Sequence, residues 1–189
     1  MFTAAGATGT ISANCRFQVG VATALSVVGQ YVDDVFQIAV EVAYESRLLE
    51  EIAEILPDGV ELGLHFCFRD FEFNGFPLPA DLDRIVDLTN GISGLVGRSI
   101  DWIHFPVPKH TRDGNYFAPV EQLNLHDKTQ LFLGVIHTGD DIAMTRHQIA
   151  LAAQRVASFG VASECGLGDL AASEITPVLV KHRSIAGPR

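Results

Sequence analysis

Leu62-Gly63-Leu64-His65-Phe66-Cys67-Phe68-Arg69-Asp70 is the stretch on which the reading of this chain turns. Its apolar part, 60–66, has the length and character of a buried strand, and the polar Arg69 and Asp70 mark a turn directly after it. Side chains alternate faces along a strand, so His65 and Cys67 point the same way at its C-terminal end. An imidazole and a thiol aimed at one spot are half of a zinc site, and the other half is to be sought at the ends of the remaining strands.

Outward from this strand the pattern alternates between strands and helices. Upstream, 16–21 (RFQVGV) reads as a strand. Asp33 and Asp34 then cap a long helix over 34–56, in which Val35, Ile38, Ala39, Val42, Leu49, Ile52 and Ile55 recur at helical spacing. Downstream, a loop holding Phe71, Phe73 and Phe76, read as a lid or core edge, leads to Asp81. That residue is the expected cap of a helix carrying Leu82, Ile85, Val86, Leu88, Ile92, Leu95 and Val96. A strand at 100–105 is halted by Pro106 and Pro108, because proline cannot donate to an interior ladder. The segment 107–128 reads as loop with one helical turn near Val120, and 130–137 as a buried strand. Asp140 or Asp141 caps the next helix, with Ile142, Ile149, Ala153 and Val156 on its apolar side. A strand at 159–163 and a helix from about Ser173 to about His182 complete the series.

Five strands alternating with four helices predict an α/β class with a parallel sheet. Residues 1–14 have no periodic signal and read as a flexible N-terminus, which leaves 15–189 as a single domain. Pattern does not separate an open doubly wound sheet from a barrel, but a complete eight-stranded barrel takes about 250 residues. The 189 residues here are too few for the full set.

Composition narrows the function classes. A net charge of −10, with only 13 Lys and Arg spread thinly, excludes a nucleic-acid partner. No run approaches the roughly 18 apolar residues of a membrane span, and the start of the chain lacks the basic and apolar regions of a secretory signal. Three widely spaced cysteines, Cys15, Cys67 and Cys165, suit a reducing compartment, so the expected location is cytoplasmic.

In either parallel architecture, ligands bind outside the carboxyl ends of the strands. The residues placed there are His65, Cys67, His104, His137, Glu164 and Cys165. A catalytic zinc site uses three protein ligands and leaves one position open, a role that His65, Cys67 and Cys165 could fill. Such a soft site suits a thiol substrate. The competing reading is plain packing: buried cysteine often behaves as a small hydrophobe, and His104, between Ile103 and Phe105, and His137 fit a core histidine as well as a functional one. Glu164 reads as a ligand, a partner of a ligand or a loop charge. His110, His126, His147 and His182 read as solvated, and Gly166-Leu167-Gly168 is a weak signal for an anion-binding turn.

The order His65-Phe66-Cys67, then further strands, then Glu164-Cys165-Gly166-Leu167 resembles the C-terminal catalytic domain of cobalamin-independent methionine synthase, in particular a methionine-synthase-like branch of the superfamily that also holds uroporphyrinogen decarboxylase. In that family an H-x-C motif ends one barrel strand and a D-C-G-L motif supplies the third zinc ligand. The resemblance covers about 60–189. It implies a TIM-barrel-like (β/α) fold, here an incomplete barrel of about five strands. It implies zinc (Zn) held by His65, Cys67 and Cys165, and transfer of a methyl group from a folate-type donor to a thiol such as homocysteine, the closing reaction of methionine biosynthesis. In such a methyltransferase a nearby acid such as His137 is expected to protonate the departing pterin nitrogen.

Two departures accompany it. The strand 101–106 has no carboxylate where the family has a glutamate ligand, so His104 is the candidate fourth ligand if it faces the same rim. The strand bearing an acidic substrate-binding residue, expected before 60–66, has no counterpart. Two alternatives therefore stand beside the methyltransferase: a catalytically degenerate relative that binds metal or a small molecule, and a metal-free decarboxylase or lyase on the same fold. The implied partners are a small thiol and a methyl donor, with no nucleic acid and no membrane. An open sheet edge calls for a cover, such as a second copy of the chain in a homodimer.

Overall fold

The structure, a computed structural model, describes residues 7–9, 18–20, 47–48, 51–52, 54–57, 59–67 and 78–186. The chain divides into two compact units, Met1–Leu48 and Leu49–Arg189. In the first, Gly9 turns the chain at φ 72°. Gln18, Val19 and Gly20 belong to no regular element, and the rest of the strand expected over 16–21 lies outside the described residues, as do Cys15, Asp33 and Asp34. The helix expected over 34–56 is helical at Arg47, Leu48, Glu51, Ile52, Glu54 and Ile55, its other residues lying outside the description except Leu56, a bend. Phe71, Phe73 and Phe76 also lie outside it.

The second unit is α/β. Its elements are β1 (Gly63–His65), α1 (Asp83–Leu95), β2 (Trp102–Pro106), a 3-10 segment (Gly114–Gln122), β3 (Gln130–Ile136), α2 (Ile142–Ala152), β4 (Gly160–Ser163), a 3-10 turn (Leu167–Asp169) and α3 (Ala172–Ala186). The four strands form one parallel sheet in the order β1-β2-β3-β4. Among the described residues each crossover moves one place in the same direction, and these four strands show no topological switch point of the kind at which a doubly wound sheet binds its ligands. Among the described residues the sheet is open, with β1 and β4 as its edges.

Register decides which side chains share a face. Leu64, Ile103 and Leu131 line up across β1, β2 and β3, and Phe105, Leu133 and Val161 across β2, β3 and β4. These rows, with Ile85, Val86 and Ile92 of α1 and Phe117 of the 3-10 segment, form the core, against which the partly buried Val161 packs; Ile103, Phe105, Leu133 and Phe117 are wholly buried. The opposite face alternates large and absent side chains. Trp102 lies over Gly63, Phe132 over Gly160 and His104 over Gly134; a Cβ on any of these glycines would sit 2.0, 2.4 and 2.7 Å from the ring that covers it. Glycine is required there because a neighbour's ring occupies the space where a side chain would start.

Several expectations are corrected at the element ends. β1 is shorter than 60–66, although its hydrogen bonding continues at both ends: Asp101 N–H donates to Leu62 O at 2.7 Å and Phe66 N–H to His104 O at 3.1 Å. The N-cap of α1 is Leu82, and Asp81 instead accepts the Asp83 N–H at 3.0 Å. Asp141 caps α2, its Oδ1 accepting Met144 N–H at 2.7 Å, while Asp140 faces Lys109 at 3.9 Å. Ala153 and Val156 fall beyond the end of α2. The expected loop over 107–128 contains a nine-residue 3-10 segment, begun by Asp113 accepting Asn115 N–H at 2.9 Å. Pro106 does not halt β2 but forms its last residue, in register with Gly134. A proline at a strand end forfeits little of the ladder, and the Pro106 carbonyl accepts Tyr116 Oη–H at 3.3 Å. Among the described residues no helix is long and apolar enough to cross a membrane.

Candidate metal centre

β1 presents His65 at its last position, the ladder continues to Phe66, and Cys67 follows, two residues from His65 and so on its face by strand alternation. At the other edge, β4 ends at Ser163, Glu164 N–H donates to Ile136 O at 3.0 Å, and Cys165 follows. Gly166 then turns at φ 92°, a left-handed conformation that glycine adopts without steric cost. The tight turn leaves Cys165 exposed at the end of the sheet.

The donor atoms of His65, Cys67 and Cys165 all lie within 4.8 Å of one another, a group able to hold a metal ion. On a flat sheet of four strands the two edges stand about 14 Å apart, at roughly 4.8 Å per strand. The residues just beyond β1 and β4 therefore reach toward each other past the sheet's C-terminal end.

His104, the fourth candidate, is in register with His65 but outside that group of three. The two Nδ1 atoms are 2.6 Å apart, in rings whose planes differ by 2° and whose centroids are 4.7 Å apart. Ring atoms stacked face to face stay about 3.5 Å apart or more. Parallel rings in contact at 2.6 Å therefore lie edge to edge in nearly one plane, the geometry of an N–H···N hydrogen bond. Burial lowers the pKa of His65, and burial followed by the charge of His65 lowers that of His104 from 6.5 to about 4. Both rings are thus held neutral at neutral pH, the state in which an imidazole can bind a metal. The Nε2 of His104 is buried and has no hydrogen-bond partner among the described residues.

His137, just past the end of β3, is 2% exposed. Its Nδ1 lies 3.1 Å from Glu164 Oε2, and Glu164 Oε1 accepts Thr138 N–H at 2.5 Å. Burial alone would raise the Glu164 pKa, but the hydrogen bonds from His137 and Thr138 outweigh it and hold it at about 2. An ionised carboxylate only accepts, so His137 Nδ1–H is the donor, and Nε2 is left buried without a partner among the described residues. Glu164, which its sequence context leaves as a ligand, a partner of a ligand or a loop charge, is bonded to His137 and to the Thr138 N–H and so orients His137 and the loop that follows.

Two lysines that no motif singled out hold this loop. Lys181 of α3 donates to the carbonyls of His137 at 2.7 Å and Asp140 at 2.5 Å, and Lys109 donates to the Thr138 carbonyl. Neither has a periodic or spacing signal, since their acceptors are backbone atoms far away in sequence. Of the remaining histidines, His110, His126 and His147 are exposed as expected, but His182 is half-buried. A hollow of about 570 Å³ opens where the chain enters β2 and β3, at their N-terminal ends, lined in part by Asn90, Arg98, Asn124, His126 and Thr129 and by none of the candidate site residues. No known family, curated protein or solved structure matches the chain.

Proposed function

We propose that this chain is a zinc-dependent methyltransferase of the methionine-synthase kind, moving a methyl group from a folate-type donor to a thiol such as homocysteine. The observation that carries the reading is the convergence of His65, Cys67 and Cys165 from opposite edges of the sheet, with donor atoms within 4.8 Å of one another. Tetrahedral zinc takes sulfur at about 2.3 Å and imidazole nitrogen at about 2.0 Å, so these atoms need to close by about an ångström at most to share one ion. Two thiolates and an imidazole also form a soft donor set with a coordination position to spare. The barrel part of the reading is supported by the unreversed order of the described strands, which an arc of a (β/α) barrel shares.

When bound, the ion supplies a positive centre that lowers the pKa of an acceptor thiol. The chain's own residues supply the rest. His137, with Nδ1–H committed to Glu164, has Nε2 left to carry a proton to the donor's leaving nitrogen. Glu164 joins this acid to the metal group, since the next residue is Cys165. A second reading, a relative that binds metal without turnover, is favoured by one observation: on the site face β2 offers His104 and Pro106 and no carboxylate.

The test is zinc content by elemental mass spectrometry for the wild type, Cys67→Ser and Cys165→Ser, followed by a thiol-methylation assay. The expected result is one zinc per chain, lost in both variants, with turnover of a folate-type donor. No zinc in the wild type after reconstitution refutes the proposal, and one zinc without turnover selects the second reading.

A further inference from the structure

We infer that His104 is a positioning residue, which fixes the ring of His65 so that His65 Nε2 faces the metal group, and that Gly134 supplies the slot in which His104 stands. The inference rests on the metal reading above and deepens it. A metal-bound histidine uses one ring nitrogen, and the other needs a partner that sets its tautomer and direction. His65 Nδ1 has that partner in His104 Nδ1 at 2.6 Å, in plane, which leaves Nε2 as the coordinating nitrogen. A coordinating Nε2 carries no proton, so in this assignment Nδ1–H of His65 donates, Nδ1 of His104 accepts, and the His104 proton sits on Nε2.

His104 is poorly placed to be a ligand itself. Its Nδ1 is occupied by His65, and its Nε2 lies over β3, 2.7 Å from where a Cβ on Gly134 would be. Its donor atoms are not within the mutual reach that joins His65, Cys67 and Cys165. The register places these residues without help from any loop: His65 pairs with His104 across β1 and β2, and Gly134 pairs with Pro106, two residues on from His104, across β2 and β3. Rigid strand positions therefore run from Gly134 through His104 to His65. A side chain at 134 would push His104 along that line.

The test compares wild type, His104→Leu, His104→Asn and Gly134→Ala, with folding checked by circular dichroism. Zinc affinity is measured by competition with a chromophoric chelator, and the ligand set by the absorption bands of the cobalt(II)-loaded protein. His104→Leu is expected to bind one zinc about 10- to 100-fold more weakly, with cobalt bands of unchanged position. His104→Asn, whose amide oxygen can accept from His65 Nδ1–H, is expected to recover most of the loss, and Gly134→Ala to mimic His104→Leu. Unchanged affinity in His104→Leu overturns the inference, and so does a cobalt spectrum that has lost a nitrogen ligand. If the wild type takes up no metal, the metal reading fails by itself. The pairing is then read from ¹⁵N NMR of the metal-free imidazoles: loss of the His65 Nδ1–H tautomer in both His104→Leu and Gly134→Ala upholds the positioning role, and its persistence refutes it.

Discussion

Replacing Gly63 by alanine should destabilise the protein, although alanine is the better residue for an ordinary strand or helix position. A Cβ at Gly63 would lie 2.0 Å from Trp102 Cε2, 2.1 Å from Cζ2 and 2.4 Å from Cδ2. These are ring atoms, so the whole indole must swing away from β1. Overpacking of this kind costs about 1–3 kcal/mol, while the smaller backbone entropy loss of alanine returns about 0.5–1 kcal/mol. The net expectation is a loss of about 1–2 kcal/mol, read from urea denaturation. Trp102 is the chain's single tryptophan, so its fluorescence reports the same event directly: the native emission should shift to longer wavelength as the indole gains water. Gly91→Ala, within α1 where nothing lies within 4 Å of the new Cβ, is the control and should gain about 0.5–1 kcal/mol. A Gly63→Ala protein as stable as wild type, with unchanged emission, would refute the claim that the glycine exists to seat the ring.

Two further expectations follow from the hydrogen bonds around the site. Glu164 has a folded pKa of about 2 against an ordinary 4.5, so the unfolded chain binds the proton more readily. The associated stability is full above pH 4.5 and is lost as pH falls toward 2. The shift corresponds to about 3 kcal/mol at most. With the side chain 34% exposed, solvent screening reduces this to about 1–2 kcal/mol. Urea midpoints measured from pH 6 to pH 2 should therefore fall more steeply for wild type than for Glu164→Gln, and equal slopes would count against the clamp. Asp101 Oδ2 accepts Leu62 N–H at 2.8 Å, just before β1. Asp101→Ala leaves that half-sheltered donor unpaired at a cost of about 1–3 kcal/mol and should speed amide exchange at Leu62, whereas Asp101→Asn, which keeps an acceptor oxygen, should lose less.

Much of the architecture is legible in the chain because it depends on local periodicity. The apolar runs at 60–66, 130–137 and 159–163 predict strands where β1, β3 and β4 lie, and the 3.6-residue spacing after Asp81 predicts α1. Asp141 as a cap was one of two choices the pattern offered. The errors occur where a non-local contact decides. Pro106 stays in β2 because it stands at the strand's end beside Gly134, and the single helical turn expected near Val120 is a nine-residue 3-10 segment at 114–122 whose Phe117 packs into the core.

The site divides along the same line. That His65 and Cys67 share a face can be read from local pattern, because a strand repeats every two residues, and so can the place of Cys165 after a strand in a glycine-rich turn. That Cys165 meets the other two cannot be read locally. It depends on strand order and on the paths of the chain beyond two strands separated by β2 and β3. The pairing of His104 with His65 and the room made by Gly134 depend on register. The hold of Glu164 on His137, and of Lys181 on the loop beyond it, depends on side chains reaching atoms 27 and 44 residues away. Periodicity along one chain carries no information about which strands become neighbours or in what register, because those are settled by packing energies summed over the whole sheet.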